Sequence, residues 1–168
     1  MFFEDAVEVS QLLELTLTAK SAGLEHKVPM AGVPISSLNE YVKRLMKHNK
    51  KVAIVDQDNE NMVAGKLVNR KLTKIITPGT YHDDFSNDNN FVAAIYGNQK
   101  FTLCYGDVST GEMFSINFLK LDDLINEIIT LNIKEVIDPF SILETYQEML
   151  SYYNIGINND EKNSFSIK

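Results

Sequence analysis

The sequence predicts an α/β (α+β) protein made of two small domains, and three observations lead to this prediction. Apolar residues recur at helical spacing in several segments, strand-like apolar runs stand between them, and a polar Asn/Asp-rich run separates two halves of different charge. Such a mixture of periods is typical of folds with both helices and strands. Of the 168 residues, 44% are hydrophobic and 23% charged, which suits a globular protein rather than a disordered or membrane protein.

The first half contains two predicted helices with a loop between them. Residues 4–18 form the first helix, and the second begins at Ser37 and Glu40, which match a capping box. Residues 29–34, with a proline at each end, predict the loop. The apolar stripes of the two helices are Ala6, Val9, Leu13 and Leu17, then Leu38, Tyr41, Val42, Leu45 and Met46.

Two strands and a linker are predicted next. Residues 51–55 have the composition of a short buried strand, and residues 67–76 that of a longer strand, which the Thr-Pro-Gly-Thr run at 77–80 ends. Residues 81–90 are polar and rich in Asn and Asp, so we predict a linker there. Residues 1–80 would therefore form the first domain.

The second half predicts the order βββαβα, an α/β domain with a three-strand meander. Gly97-Asn98 and residues 109–111 are the hairpin turns of the meander. We expect this domain to span residues 91–157 and the polar tail at 158–168 to fray. The predicted elements are strands at 91–96, 101–108, 112–118 and 135–137 and helices at 121–131 and 142–153.

The charge differs between the two halves. Residues 1–80 carry 11 Lys and Arg against 9 Asp and Glu, a net +2, whereas residues 81–168 carry 5 against 14, a net −9. The first half can therefore meet a phosphate backbone, which would repel the second half as a whole. We expect a cytoplasmic protein, because the acidic N-terminus is unlike a signal peptide and no apolar run approaches the roughly 20 residues of a membrane span.

Motifs of enzyme chemistry are absent from the sequence, so we predict no catalytic residue, no metal site and no cofactor in this chain. It has no P-loop, no dinucleotide-binding fingerprint, no HExxH motif and no Cys/His cluster. We interpret the three histidines as loop residues and the paired carboxylates at 83–84 and 122–123 as structural. The single cysteine, Cys104, excludes an internal disulfide, and we expect it to be a small core residue.

A colinear set of short motifs resembles the MutS family of DNA mismatch-repair proteins. Each motif is weak alone, but together they follow the family in order and spacing over nearly the whole chain. The motifs are Phe2-Phe3-Glu4-Asp5-Ala6, Leu15-Thr16-Leu17-Thr18, the run at 29–34, Tyr41, Val52-Ala53-Ile54 with Gln57, Thr77-Pro78-Gly79-Thr80, and Asp107-Val108-Ser109-Thr110-Gly111-Glu112.

The resemblance implies a small mixed-sheet mismatch-recognition domain up to about Thr80, followed by part of a ribonuclease-H-like connector domain without nuclease function. It also implies that the clamp, lever and ATPase domains, with ATP and Mg²⁺, belong to a longer parent protein, a DNA-dependent ATPase and homodimer. The chain itself would be a fragment and not an enzyme, and we predict no dimer for it.

Family members read a mispair with a Phe-x-Glu motif whose Phe wedges into the base stack, at a cost of a few kcal/mol that is least at a mispair. Phe2-Phe3-Glu4 fits that motif by its letters, but the alignment matches this run to the segment just downstream. We therefore expect the true motif and its strand to precede Met1, and the wedge to be absent here. Phe2 and Phe3 should instead pack in the core.

Two departures from the family pattern, Ser36 in place of His and Asp56 in place of Glu, leave open a MutS-like paralogue without mismatch specificity. The candidate DNA-binding residues that carry over are Lys20, Lys27, Met30 and Arg70, since cations on loops and strands are what backbone contacts require. Double-stranded DNA is the expected partner, in the cytoplasm and at the nucleoid.

Two other hypotheses stay open beside DNA binding. The acidic connector half could be a protein-interaction module that contacts a MutL-type partner, as the resemblance implies. An enzyme would need a cluster of acids at the strand ends of this half, because a two-metal site takes several ligands, and Asp107 is the one good candidate.

Overall fold

The computed structural model describes residues 1–21, 23, 26–57, 69–82 and 89–159. The chain divides into two compact units, Met1–Lys50 and Lys51–Lys168. Helices and strands occur in both, which confirms the predicted α/β class. The unit boundary falls at residue 50, inside the first predicted domain, so the two strands that follow it group with the second half of the chain.

The first unit opens with helix α1 (Phe3–Leu13) and a two-stranded ribbon. Strand β1 (Thr18–Lys20) pairs antiparallel with β2 (Val28–Met30). The predicted helix at 4–18 was therefore too long, because Glu14 adopts a left-handed conformation (φ 56°, ψ 42°) that ends α1. The loop predicted at 29–34 was wrong for its first two residues, which belong to β2.

Helix α2 (Leu38–Lys47) follows a 3₁₀ turn at Ile35–Ser37. Its predicted apolar stripe is confirmed for Val42, Leu45 and Met46, which are buried, whereas Leu38 and Tyr41 are half-buried. The capping box was wrong: the Ser37 side chain makes no capping hydrogen bond, because the 3₁₀ turn leads directly into the helix. The core of this unit lies where α1 packs on β2 and α2.

The second unit begins with an antiparallel hairpin of β3 (Val52–Gln57) and β4 (Arg70–Ile76). The prediction of a buried strand at 51–55 was wrong, because no residue of β3 is fully buried. In β4, Ile76 at the last position is buried. Residues 67–68, the predicted start of the second strand, lie outside the described residues.

A five-stranded mixed sheet forms the rest of the second unit, with the strand order β7-β6-β5-β8-β9. The predicted meander β5-β6-β7 is confirmed as antiparallel, whereas β5-β8 and β8-β9 are parallel. The strands are β5 (Phe91–Gly97), β6 (Phe101–Asp107), β7 (Met113–Phe118), β8 (Glu135–Ile137) and β9 (Gly156–Asn158). Strand β9 was not predicted from the sequence.

Helix α3 (Leu121–Thr130) and the short α4 (Gln147–Tyr152), preceded by a 3₁₀ turn at Glu144–Tyr146, complete the unit. The core contains Phe91, Ala93 and Ile95 of β5 together with α3 side chains. Cys104, predicted as a core residue, is exposed, because it alternates with the fully buried Leu103 and so lies on the opposite face of the sheet. Of the assigned linker and tail, residues 83–88 and 160–168 lie outside the described residues.

No helix in the described part of the chain is long and apolar enough to cross a membrane.

Candidate nucleic-acid interface

The β1–β2 ribbon brings two of the predicted DNA-binding lysines to one end. Lys20 is opposite Val28 in the ladder, and Lys27 directly precedes Val28, so both cations lie where β1 ends and β2 begins. Both side chains are exposed, and no carboxylate of the described residues forms an ion pair with either. This end of the ribbon therefore presents two open cations to solvent.

Met30 lies at the opposite end of the same ribbon. It pairs with Thr18, whose Oγ1 donates a hydrogen bond of 2.8 Å to the Met30 carbonyl oxygen, and its side chain is half-buried. The structure therefore separates Met30 from Lys20 by two residue steps of the ladder, roughly 7 Å at the usual rise per residue, and from Lys27 by three steps, roughly 10 Å.

Phe2, the first of the two N-terminal phenylalanines, lies beside Met30. Phe2 forms an isolated antiparallel bridge with Met30, and the Met1 ammonium donates a 3.0 Å hydrogen bond to the Ala31 carbonyl oxygen. Phe2 is 37% exposed and Phe3 is 60% exposed, so the expectation that they pack in the core was wrong. The bridge holds Phe2 at the edge of the ribbon, and Phe3 begins α1 with φ at 55°, which places both rings outside the core.

Two other cations of the first unit, Arg44 and Lys50, are engaged in structural contacts. Arg44 donates to the Leu13 carbonyl oxygen at 3.3 Å and lies 5.8 Å from the centre of the Tyr41 ring. Lys50 forms an ion pair with Glu8. These contacts tie α2 and its C-terminal end to α1, so Arg44 and Lys50 are less available to a ligand than the two exposed lysines of the ribbon.

The β3–β4 hairpin carries a second set of exposed cations. Arg70 pairs with Gln57, Lys71 with Asp56 and Lys74 with Ile54. Residues paired directly across a ladder share a face, and Ile54 and Asp56 lie two apart on β3, so Lys71 and Lys74 share one face of the hairpin. Lys71 and Lys74 are three residues apart and would lie on opposite faces of a regular strand. The register shift between Ile54 and Val55 brings them to the same face.

Sequence reasoning singled out Arg70 and missed Lys71 and Lys74. In an unbroken strand residues three apart point to opposite faces, so the sequence alone gives no reason to group the two lysines. No sequence signal marks the irregularity; in the structure Thr73 lies there, and its Oγ1 donates a 2.7 Å hydrogen bond to Asp56 Oδ2.

The opposite face of the hairpin is apolar and exposed. Val55 pairs with Leu72 and Ala53 with Ile75, which places the three large side chains on one face together with Arg70. Val55, Leu72 and Ile75 are 50%, 51% and 56% exposed. An apolar surface next to an arginine is the combination that proteins use in the minor groove, where cations meet phosphates and apolar side chains contact the sugars and bases.

Asp107 is a structural residue in this geometry. Its Oδ1 accepts hydrogen bonds from the Ser109 hydroxyl at 2.6 Å and the Ser109 backbone N–H at 2.8 Å, and its Oδ2 accepts from the Asn90 N–H at 2.9 Å. The hydrogen bond from the Ser109 hydroxyl, then that from Asn90, lowers the pKa of Asp107 below 3.8. The described residues contain no group of three or more His, Cys, Asp and Glu side chains placed to hold a metal ion.

Two family models match the chain. The model described as MutS domain I matches residues 1–85, and the model described as MutS domain II matches residues 90–167.

Curated relatives match over most of the chain. The DNA mismatch repair protein MutS of Staphylococcus epidermidis is 38% identical over 154 residues, which is 90% of this chain and 18% of the relative. The protein of the same name from Macrococcus caseolyticus is 40% identical over 86% of this chain, and that from a Geobacillus strain is 34% identical over 96%. The chain spans about a fifth of the length of these relatives, between 17% and 20%.

Proposed function

The chain belongs to the MutS family of DNA mismatch-repair proteins, with MutS domains I and II, and from that premise we propose that it binds duplex DNA through its open cations. The observation that supports this most directly is the presence of two exposed cationic surfaces, at the end of the β1–β2 ribbon and on the β3–β4 hairpin. The contacts are with phosphates, because lysine and arginine on exposed strands position a protein on the backbone without reading sequence.

A salt titration tests this proposal. We expect the 168-residue chain to bind a short duplex weakly, with a dissociation constant on the order of 10⁻⁴–10⁻⁶ M near physiological salt, and to lose affinity steeply as salt rises. Fluorescence anisotropy with a labelled duplex measures both. Binding that does not depend on salt would contradict a phosphate contact.

Matched charge variants locate the contact. Each lysine that contacts a phosphate contributes about 0.9 to the slope of log affinity against log salt, so Lys71→Gln with Lys74→Gln should flatten the slope by about 1.8. Lys20→Gln with Lys27→Gln should do the same if the ribbon takes part. Lys100→Gln is the control, because Lys100 is an exposed cation in the turn between β5 and β6. An equal effect of the control variant would show that binding depends on the overall charge of the chain and not on a contact at the hairpin or the ribbon.

We propose further that this chain has no mismatch preference by itself. Phe2 lies at the ribbon edge next to Met30 and not in a groove-facing Phe-x-Glu strand, which is the geometry expected if the wedge is absent. Anisotropy with a G·T duplex and its matched counterpart should give equal affinities. Clear preference for the mispair, lost in Phe2→Ala and kept in Phe3→Ala, would show that Phe2 is the wedge.

We propose that this chain binds neither ATP nor Mg²⁺. The sequence has no P-loop, and the described residues hold no cluster of acids for a metal ion. We therefore assign ATP hydrolysis and homodimer formation to other domains of the longer parent, and we place that parent in the cytoplasm at the nucleoid. A conformational signal of DNA binding would pass to those domains through the five-stranded sheet.

A second candidate function is a protein contact made by the acidic half, and we propose a MutL-type partner for it. Large apolar side chains are exposed on this sheet and its turns, with Met113 at 81%, Leu119 at 75% and Val108 at 62%. Exposed apolar residues on a strongly acidic surface suit a protein rather than a nucleic acid. Retention of the chain on immobilised MutL-type protein, lost in Met113→Ser with Val108→Ser, would favour it; no retention at any salt concentration would count against it.

A further inference from the structure

The turn that follows the hairpin, at residues 77–80, is held by hydrogen bonds between its own residues and with Tyr81. The Thr77 carbonyl oxygen accepts hydrogen bonds from the N–H groups of Thr80 at 3.1 Å and Tyr81 at 2.9 Å. The Thr77 N–H donates to Thr80 Oγ1 at 3.1 Å, and the two threonine hydroxyls lie 2.8 Å apart. Pro78 fits the second position of such a turn because its ring fixes φ. The turn is therefore a preformed unit at the end of β4.

This turn is seated on the five-stranded sheet by close approach. A Cβ built on Gly79 would lie 2.8 Å from the Glu135 Cβ, shorter than real Cβ contacts, and 3.0 Å from the Val92 Cβ, which is tighter than nine in ten of them. Val92 and Glu135 are paired neighbours in the parallel ladder of β5 and β8. Gly79 does not have a positive φ, so the glycine is needed here for space and not for backbone conformation.

Two side chains of the sheet domain hold the seated turn. The Gly79 N–H donates to Glu135 Oε2 at 3.3 Å, and Glu135 is buried. The Asn90 amide nitrogen donates to the Pro78 carbonyl oxygen at 2.9 Å and to the Tyr81 carbonyl oxygen at 2.7 Å. Asn90 is itself fixed, because its backbone N–H donates to Asp107 Oδ2.

We propose that Asn90 and Glu135 are positioning residues that set the orientation of the β3–β4 hairpin against the five-stranded sheet. They bind the turn that directly follows Ile76, the last residue of β4. Because the turn continues β4, the hairpin and the sheet form one rigid arm. The functional importance of this arm rests on the proposed function, because it fixes where Arg70, Lys71 and Lys74 stand relative to the sheet when they meet DNA.

Distance measurements between spin labels test the orientation directly. Cys104 is the only cysteine in the chain, so a Cys104→Ser background accepts labels at Lys74→Cys on the hairpin and Lys100→Cys on the sheet. A second pair, Lys100→Cys and Asn126→Cys, lies wholly within the sheet and α3 and reports on their integrity. All these side chains are exposed.

We expect one narrow hairpin-to-sheet distance distribution in the parent chain and loss of that narrow distribution in Asn90→Ala with Glu135→Ala. The distribution within the sheet should stay unchanged. Glu135→Gln with native Asn90 should keep the narrow distribution, because its amide oxygen can still accept the Gly79 N–H. An unchanged hairpin-to-sheet distribution in the double variant overturns the proposal, and so does broadening of both label pairs, which would indicate a general structural role.

A second variant disturbs the turn and leaves the sheet residues native. Gly79→Ala introduces the Cβ that meets Glu135 and Val92, so it should unseat the turn and broaden the hairpin-to-sheet distribution. A distribution as narrow as that of the parent would overturn the proposal. These measurements need no DNA, so they test the positioning role independently of the proposed function. Absence of DNA binding by the parent chain would refute the proposed function alone.

Discussion

The five-stranded sheet and the β3–β4 hairpin belong to the same unit, yet different contacts hold them. Leu103 of the sheet and Leu124 and Ile128 of α3 are fully buried, whereas Val55 and Leu72 of the hairpin are about half exposed. A two-stranded hairpin without a packed face is marginally stable in water. The difference indicates that the sheet maintains its own fold, while the hairpin depends on its ladder and its anchoring turn and keeps its side chains available for a ligand.

The same substitution in the two regions should give the widest difference. Leu103→Ala removes a fully buried side chain from the second strand of the sheet and should lower the free energy of unfolding by about 2–5 kcal/mol. Leu72→Ala is the matched control, because Leu72 is 51% exposed on the hairpin. Urea denaturation followed by circular dichroism measures both. Equal losses would mean that the hairpin is packed as tightly as the sheet, which would break the comparison.

A buried carboxylate tests whether polar contacts also stabilise the sheet region. Asp138 is fully buried, and its oxygens accept hydrogen bonds from the N–H groups of Ile142 at 2.9 Å and Leu143 at 2.7 Å. Asp138→Ala leaves both donors without this acceptor and should cost about 1–3 kcal/mol of stability. Asp138→Asn keeps one acceptor oxygen and should lose less. An alanine variant as stable as the parent would show that water satisfies these donors and that the carboxylate has no stabilising role.

The acid limb of the stability curve should depend on Asp107. Its folded-state pKa is lowered from 3.8, chiefly by the hydrogen bond from the Ser109 hydroxyl, so its contribution is fully present above about pH 4 and is lost as the pH falls through the folded-state pKa. Asp107→Asn removes this titration, so unfolding curves between pH 2 and 5 should show a shallower loss of stability below about pH 4 than in the parent. An identical acid limb in both proteins would contradict the assignment.

The parts of the fold that sequence reasoning found are those with a local signal. The stripe of α2 repeats over several turns, and the meander of β5, β6 and β7 is marked by two turn sequences, so both were predicted. The ribbon strands β1 and β2 have three residues each, too few to show a period, and β9 is equally short. The early end of α1 depends on one residue, Glu14, in a left-handed conformation that composition does not reveal.

The candidate site was less predictable than the fold, because its geometry depends on pairing. Lys20 and Lys27 are seven residues apart and meet at one end of the ribbon only because β1 pairs with β2. Lys71 and Lys74 share a face only because the ladder shifts register between Ile54 and Val55. The resemblance to MutS proteins supplied candidate residues without these relations, and the alignment gave no reason to expect exposed rings at Phe2 and Phe3.

The smallest expected effect sharpens the comparison most, because it concerns the apolar face of the hairpin. Leu72→Thr and Ile75→Thr replace half-exposed apolar side chains with a polar residue of good strand propensity, so stability should change by no more than about 0.5 kcal/mol. If this face contacts DNA beside Arg70, affinity for the duplex should fall while the salt slope stays the same, since no cation is lost. Asn117→Thr on β7 is the control, because Asn117 is an exposed strand residue of the sheet. A stability loss as large as that of Leu103→Ala would show instead that the apolar face is packed in solution, and the hairpin would then owe its position to that packing rather than to its turn.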